Sequence, residues 1–420
     1  MSDDLLEISD RILRGDLAPE ARPPVSIGVT TGLTELADGI GFVESFANVA
    51  AFVDGDRLVL VDAASPLHAP AVHEAVRGWT DATLDTVVFT HGHVDHVAGV
   101  GRFEAEPGSA PVRVVAHENL PKRFDRYRLT NGYNGIINQR QFQLPAPAFL
   151  TEFRYPDQTY ADALDLQVGD LRLELRHDRG ETDDATWVWL PERRVLCAGD
   201  LFIWVAPNCG NPQKVQRYPW EWAVALRRMA ALEPELLLPG HGLPIAGSAR
   251  IVEVLTETAE LLESLVTQTL DLMNAGARLD EIVHTVAVPA HLAERPWLRP
   301  VYDEPEFVVR NLWRLYGGWY DGNPATLKPA PDAVLARELA DLAGGASVLA
   351  DRAAALSADG EHRLAGHLAE LAASAAPDDP GVHAVRARVF GARARVERSV
   401  MSQGVFRWAE HESRAIGGES

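Results

Sequence analysis

The sequence predicts a layered α/β domain followed by an all-α domain, and three observations predict it. Short runs of β-formers recur, with helical stretches between them, as far as about residue 248. Beyond that point apolar residues fall at helical spacings. One early strand runs directly into a cluster of histidines and an aspartate. The 420 residues exceed what one hydrophobic core usually serves, so the two textures are assigned to two domains, 1–248 and 249–420.

Taken in order, "VAAFVDGDRLVLVDAA" predicts a hairpin turning at Gly55, followed by a helix from about His68 to Trp79 and a strand over Thr86 to Phe89. Further strands are expected in "PVRVVAH", "LRLELRH", "ATWVWLPERRVLCAG" and "LLLPGHG". Leu120 to Tyr160, rich in Arg, Asn, Gln, Pro and aromatics with no clean period, predicts a long functional excursion outside the core. After Ser248, Ile251, Leu255, Leu262, Leu265 and Leu272 can share one helical stripe that Gly276 terminates. Trp313 to Pro324 reads as an aromatic helix ending in an Asp-Gly-Asn-Pro turn. The alanine-rich segment from Gly344 to Ala394 has the helix–turn–helix pattern of one tetratricopeptide-like unit, closed by "APDDP".

Composition narrows the function. Hydrophobic residues make up 46% and charged residues 24%, ordinary globular values. A formal net charge of −21 argues against general affinity for nucleic acid or anionic membranes, so an anionic substrate must be attracted locally. The N-terminal "MSDDLLEISD" has no basic region leading into an apolar one, and no apolar run reaches about 18 residues. A soluble, unexported, cytoplasmic protein without a membrane span is expected. The two cysteines, Cys197 and Cys209, are too few for a disulfide framework or a thiolate zinc site, and both are expected to be inert.

The chemistry is concentrated in "THGHVDH". A loop leaving the strand would aim His91 and His93 at one metal, Asp95 and His96 at a second. Imidazole and carboxylate together suit zinc, and also manganese or iron. Four potential ligands within six positions are too dense for an ordinary polar loop.

This H-x-H-x-D-H pattern resembles the metallo-β-lactamase superfamily, which implies an αββα sandwich with metals at the sheet edges and further ligands in fixed order. On that resemblance the bridging aspartate is Asp200 in "VLCAGDLF", and the last histidine is His241 in "LPGHGLP". Where most members carry Gly-His-Thr, this chain reads Gly180-Glu181-Thr182, with Glu181 lying 19 residues before Asp200. Glu181 is then the third ligand of the first metal, with His177 in "RHDRGET" as its competitor. A carboxylate there adds negative charge and weakens the first metal as a Lewis acid.

That glutamate, together with the helical extension, resembles the alkyl sulfatases. "VVRNLWRLYGGWYDGNPATLKPAP" looks like a segment of their dimerisation domain, as does "MNAGARLDEIV" before it. The resemblance implies a homodimer formed through the helical domain and hydrolysis of a small, anionic sulfate ester. It also brings out differences. The chain ends at Ser420 without the sterol-carrier-like domain of the longer enzymes, and Asp200 stands where those often have Glu, so a smaller substrate than a detergent is expected.

The implied mechanism uses two divalent ions, most readily zinc, with Asp95 and Asp200 as the catalytic carboxylates and a shared water acidified to hydroxide. A leaving sulfate is a weak base, so reduced Lewis acidity is tolerable. Local donors for an anion are sought in Asn138 and Arg140 of "YNGIINQRQF", and in Asn208, Asn211 and Lys214 of "APNCGNPQK". Trp204, Tyr218, Trp220 and Trp222 either wall an apolar pocket or fill the core. His117 is read as a hydrogen-bonded structural histidine. Hydrolysis of a lactone, thioester, phosphodiester or β-lactam-like amide is the alternative on the same ligands, followed by an iron redox enzyme and a non-catalytic scaffold.

Overall fold

A computed structural model of the chain describes residues 5–23 and 32–418. It forms two compact units, the first comprising Met1–Asn131, Leu150–Ala277 and Glu281–Tyr316, the second Gly132–Phe149, Arg278–Asp280 and Gly317–Ser420. Residue 248 therefore marks where strands give way to helices, while the compact units part later. The reason is packing: the helix Ser248–Asn274 buries Ile251, Leu255, Leu262 and Leu265 in the core of the first unit.

That first unit contains two sheets. Strands β1 (Leu33–Ala37), β2 (Ile40–Val43), β3 (Val49–Asp54), β4 (Arg57–Val61), β5 (Thr83–Val88), β6 (Arg113–His117) and β7 (Gln158–Tyr160) pair in chain order. The pairs up to β3–β4 are antiparallel, and those from β4–β5 onward are parallel. The second sheet holds β8 (Ala163–Val168), β9 (Leu171–His177), β10 (Thr186–Leu190), β11 (Val195–Gly199), β12 (Leu236–Pro239) and β13 (Ile245–Ala246), again neighbours in order. Only β11 and β12 run parallel there.

Alternation along the central strands explains the layering. Ala50 and Phe52 of β3 and Val59 and Val61 of β4 share a core with Leu173, Leu175 and Trp187 of the second sheet. Their neighbours Val49, Ala51, Leu58 and Leu60 pack instead with Val72 and Val76 of the helix Ala69–Trp79. Both faces are buried, so the sequence reads as one continuous apolar run. The second sheet is covered on its outer face by Trp222, Leu226 and Met229 of the helix Pro219–Ala230, which completes the αββα sandwich.

The excursion between Leu120 and Tyr160 is more regular than its composition suggests. It contains the helices Leu120–Leu129 and Asn131–Phe142 and ends in β7. Leu120, Phe124 and Tyr127 do form a buried stripe, but Arg123 is buried on the same face, and that charge hides the period.

In the second unit, Ala350, Ala353, Ala365, Ala369 and Ala372 make the seam between the helices Ala346–Ala358 and His362–Ala375. Small side chains allow close helix approach. The "APDDP" stop works as a start signal for the next helix: Asp379 accepts from the backbone N–H groups of Gly381 and Val382, with Pro380 in the first turn of Pro380–Val396. After the helix Pro305–Gly317, Asp321 accepts from Asn323 N at 2.9 Å and Thr326 Oγ1 at 2.6 Å, closing the expected turn. No helix among the described residues is long and apolar enough to cross a membrane.

Candidate metal centre

In each sheet the candidate ligands follow strands that run the same way. His91, His93, Asp95 and His96 lie just beyond β5, Glu181 beyond β9, Asp200 beyond β11 and His241 beyond β12. Four separate loops thereby converge, and the seven side chains fall into two groups. Donor atoms of His91, His93, Glu181 and Asp200 lie within 4.8 Å of one another, and those of Asp95, His96 and His241 do so as well. Asp200 also spans the groups, with Oδ2 3.5 Å from His91 Nε2 and 3.4 Å from His241 Nε2. The turn that brings β12 alongside needs Gly240, because a Cβ there would lie 2.1 Å from Asp200 Oδ1.

Hydrogen bonds fix which histidine nitrogens face inward. Asp62, just after β4, accepts from Thr90 N at 2.7 Å and Thr90 Oγ1 at 2.8 Å, and from His96 Nδ1 at 2.7 Å. With its proton committed to Asp62, Thr90 Oγ1 can only accept from His91 Nδ1, 3.0 Å away. His241 Nδ1 donates to the carbonyl of Phe46. The Nε2 lone pairs of His91, His96 and His241 are consequently directed into the cluster, the arrangement seen behind metal-bound imidazoles. His91 Nε2 and His93 Nδ1 lie 2.8 Å apart.

The donor set suits cations. Asp200 Oδ1, Glu181 Oε2 and His96 Nε2 are buried without a well-aligned hydrogen-bond partner, although His96 Nε2 and Asp200 Oδ1 approach to 3.3 Å. An orphaned buried polar atom costs about 1–3 kcal/mol, so convergence of three at one place calls for a ligand. Burial, reinforced by His96, holds the His91 ring down to a pKa of about 3, which keeps its lone pair available. Burial opposes ionisation of Asp200, yet His241, His96 and His91 keep its carboxylate well below the usual range. Burial pushes Glu181 upward against the pull of Arg217. Nitrogen and oxygen donors without thiolate fit zinc, manganese or iron.

Several residues that hold the cluster were not singled out from sequence. Asp184 accepts from Gly92 N and from Arg123 Nε, each at 2.9 Å, tying the His91–His93 loop to the Glu181 loop. Asn48 donates its amide to the carbonyls of Pro239 at 3.0 Å and Gly242 at 2.9 Å, clamping the turn around His241. Arg217 donates to Glu181 Oε1, as does Asn208, which the sequence had suggested instead as a donor for an anion. The signals for these were slight: an aspartate at a strand end, an asparagine in a tight turn, and a lone arginine on an apolar helix face.

The other sequence candidates are distributed as follows. His177 lies in neither donor group; its Nδ1 pairs with the Ala185 carbonyl at 2.8 Å and its ring stacks on His117, centroids 3.6 Å apart. Asn208 and Asn211 are buried in the loop beyond Asp200, where Asn211 Oδ1 accepts from Gln213 N at 3.0 Å. Asn138 and Arg140 lie on the helix Asn131–Phe142, within the second unit. Trp204 and Trp222 are core, whereas Trp220 is exposed. Cys197 and Cys209 are both free and buried, and burial raises both thiols.

Comparison with known proteins shows what the chain is similar to. The metallo-beta-lactamase superfamily model matches residues 43–241, and the alkyl sulfatase dimerisation model matches residues 278–415. A linear primary-alkylsulfatase of Pseudomonas is 28% identical over 360 residues, which cover 80% of this chain and 68% of that protein. An (R)-specific secondary-alkylsulfatase, also of Pseudomonas, is 26% identical over 338 residues, covering 72% of this chain and 50% of the relative. The solved stereoselective inverting sec-alkylsulfatase Pisa1 of Pseudomonas superimposes with a TM-score of 0.82 at 22% identity, covering 91% of this chain and 65% of that one. This chain thus spans between half and about two thirds of the length of these relatives. The chain thus combines a segment similar to the metallo-beta-lactamase superfamily with one similar to the alkyl sulfatase dimerisation domain.

Proposed function

We propose that this chain is a metal-dependent hydrolase of sulfate esters, with a small alkyl sulfate as the substrate class. The observation that carries this reading is the pair of donor groups joined through Asp200. His91, His93 and Glu181 would hold one divalent cation, Asp95, His96 and His241 a second, and Asp200 both. Zinc is the first choice, with manganese or iron as the other candidates. Two bound cations would supply Lewis acidity and an acidified water. The names of the two Pseudomonas relatives described above, both alkylsulfatases, support sulfate as the leaving group.

The chain's own residues do the rest. Asp95, with 18% of its side chain exposed, would take a proton from the attacking water, and Asp200 would keep the two halves of the site in register. Lys214 stands close enough to feel both Asp95 and Glu181, and burial lowers its pKa to about 8. It joins Asn208 and Asn211, of the same unit, as a donor for the anionic group. Homodimerisation through the helical domain is supported by the helix Asp332–Ala343, which buries only Ala336 and Ala340 while exposing Val334, Leu335 and Leu342. Two free, buried cysteines suit a reducing cytoplasm.

The deciding experiment is a metal analysis of the purified chain, followed by a screen of zinc-replete enzyme. Short and long alkyl sulfates are tested beside lactones, phosphodiesters and a β-lactam, with Glu181→Ala as control. Two metal equivalents and sulfate release abolished by Glu181→Ala are expected. Turnover of a lactone or phosphodiester with no sulfate release would replace this reading with the alternative hydrolase.

A further inference from the structure

We infer that Arg217 is a charge-compensating positioning residue, and that the Glu181–Arg217 pair stands in for a neutral imidazole at the first metal position. This deepens the reading above and rests on Glu181 being a ligand. Replacing a neutral histidine by glutamate adds one negative charge to a closed site. The structure places one positive charge directly against it: both side chains are 3% exposed, and Arg217 Nη1 donates to Glu181 Oε1. In so dry a place the pair is felt by a third charge as nearly neutral.

The hydrogen bonding also decides which oxygen faces the cation. Oε1 takes both the Arg217 guanidinium and the Asn208 amide, while Oε2 is buried without a partner. Glu181 would therefore offer a cation one oxygen, Oε2, as an imidazole offers one nitrogen. Arg217 is itself fixed from several sides. Its Nη1 donates to the Asn208 carbonyl at 2.6 Å, and its own backbone carbonyl accepts from Asn311 Nδ2 at 3.0 Å. The neighbouring acid, Asp303, is occupied by the backbone N–H groups of Gly210 and Glu304, and Lys214 is the other cation within reach. Arg217 thus has one carboxylate as its direct partner, Glu181.

If the pair is the unit, its two members can be exchanged only together. The test compares full-length, zinc-loaded wild type with Glu181→His, Arg217→Gln, Arg217→Lys and the double variant Glu181→His/Arg217→Gln. Bound zinc per chain is measured by plasma mass spectrometry after gel filtration, and site affinities by chelator competition. Glu181→His alone leaves the guanidinium unopposed beside three imidazoles, and its weaker zinc site should lose about 10–100-fold in affinity, the usual effect of a wrong outer partner. The double variant should recover to within about twofold of wild type, since the two changes are coupled and not additive. Arg217→Lys, which keeps the charge, should hold zinc better than Arg217→Gln.

Equal zinc affinity in Glu181→His and the double variant overturns the inference, and so does equal affinity in Arg217→Lys and Arg217→Gln. Should Arg217→Gln fail to fold because it strands a buried carboxylate, the comparison of Glu181→His with the double variant decides alone. Failure of the underlying reading looks different: wild type itself would bind no zinc, or Glu181→Ala would bind it undiminished.

Discussion

Removing the carboxylate of Asp184 should cost the first unit about 3–5 kcal/mol, the range for breaking a buried ion pair from one side. The magnitude follows from its surroundings. Asp184 and Arg123 have side chains 0% and 2% exposed, so Asp184→Ala leaves a guanidinium inside the protein with Asp183, itself 39% exposed, as the carboxylate it still pairs with. Gly92 N loses its acceptor in the same step. An exposed pair provides the contrast: Arg227 and Glu263 are 41% and 32% exposed, and deleting Glu263 should cost under about 1 kcal/mol. Urea unfolding followed by far-UV circular dichroism reads both, and zinc content reads the loop. Arg123→Met/Asp184→Leu should regain most of the loss, because no charge is then left stranded. If Asp184→Ala unfolds within about 1 kcal/mol of wild type, or the double variant is no better than the single, the brace between the two ligand loops does not carry the energy assigned to it.

Three further outcomes are expected. Gly92→Ala puts a Cβ 2.9 Å from Arg123 Cδ and 3.1 Å from Asp184 Oδ2, so it should displace the loop and show reduced bound zinc by mass spectrometry while the far-UV spectrum is kept. Asp62→Asn sets an amide N–H₂ against one of three donors, so chelator competition should show zinc held about 10–100-fold more weakly, with little change in melting of the helical unit. Leu335→Glu/Leu342→Glu places two charges on the exposed apolar face of Asp332–Ala343, and light scattering should report a monomer with unchanged zinc content.

Much of the fold could be read in advance because both faces of the central strands are apolar. The apolar residues of Val49–Asp54 and Arg57–Val61 had to be buried on two sides, which a layered α/β arrangement provides. The Gly55 turn and the helix break at Gly276 were equally plain, since both residues adopt positive φ, +59° and +84°. Leu120–Leu129 was not legible, because a buried arginine occupies a position that a hydrophobic period would assign to leucine. The same residue explains both the missed helix and the missed brace.

Of the seven candidate ligands, His91, His93, Asp95 and His96 were visible in the residues themselves and Glu181, Asp200 and His241 through the family resemblance, for reasons different from those behind the supporting residues. Metal chemistry permits few side chains, and strand ends space them at intervals that a chain can display, as in the cluster from His91 to His96. Supporting residues obey no such spacing. Asp62, Asp184, Arg123 and Arg217 are selected by what remains unsatisfied after the loops have converged: a ring nitrogen to orient, a backbone N–H to accept, a charge to cancel. Each is an ordinary charged residue until burial removes water as its alternative partner. The glutamate at residue 181 makes the dependence concrete. Its departure from histidine was conspicuous in the sequence, but the reason the site can tolerate it lies 36 residues further on, in a side chain that only the folded chain brings into contact.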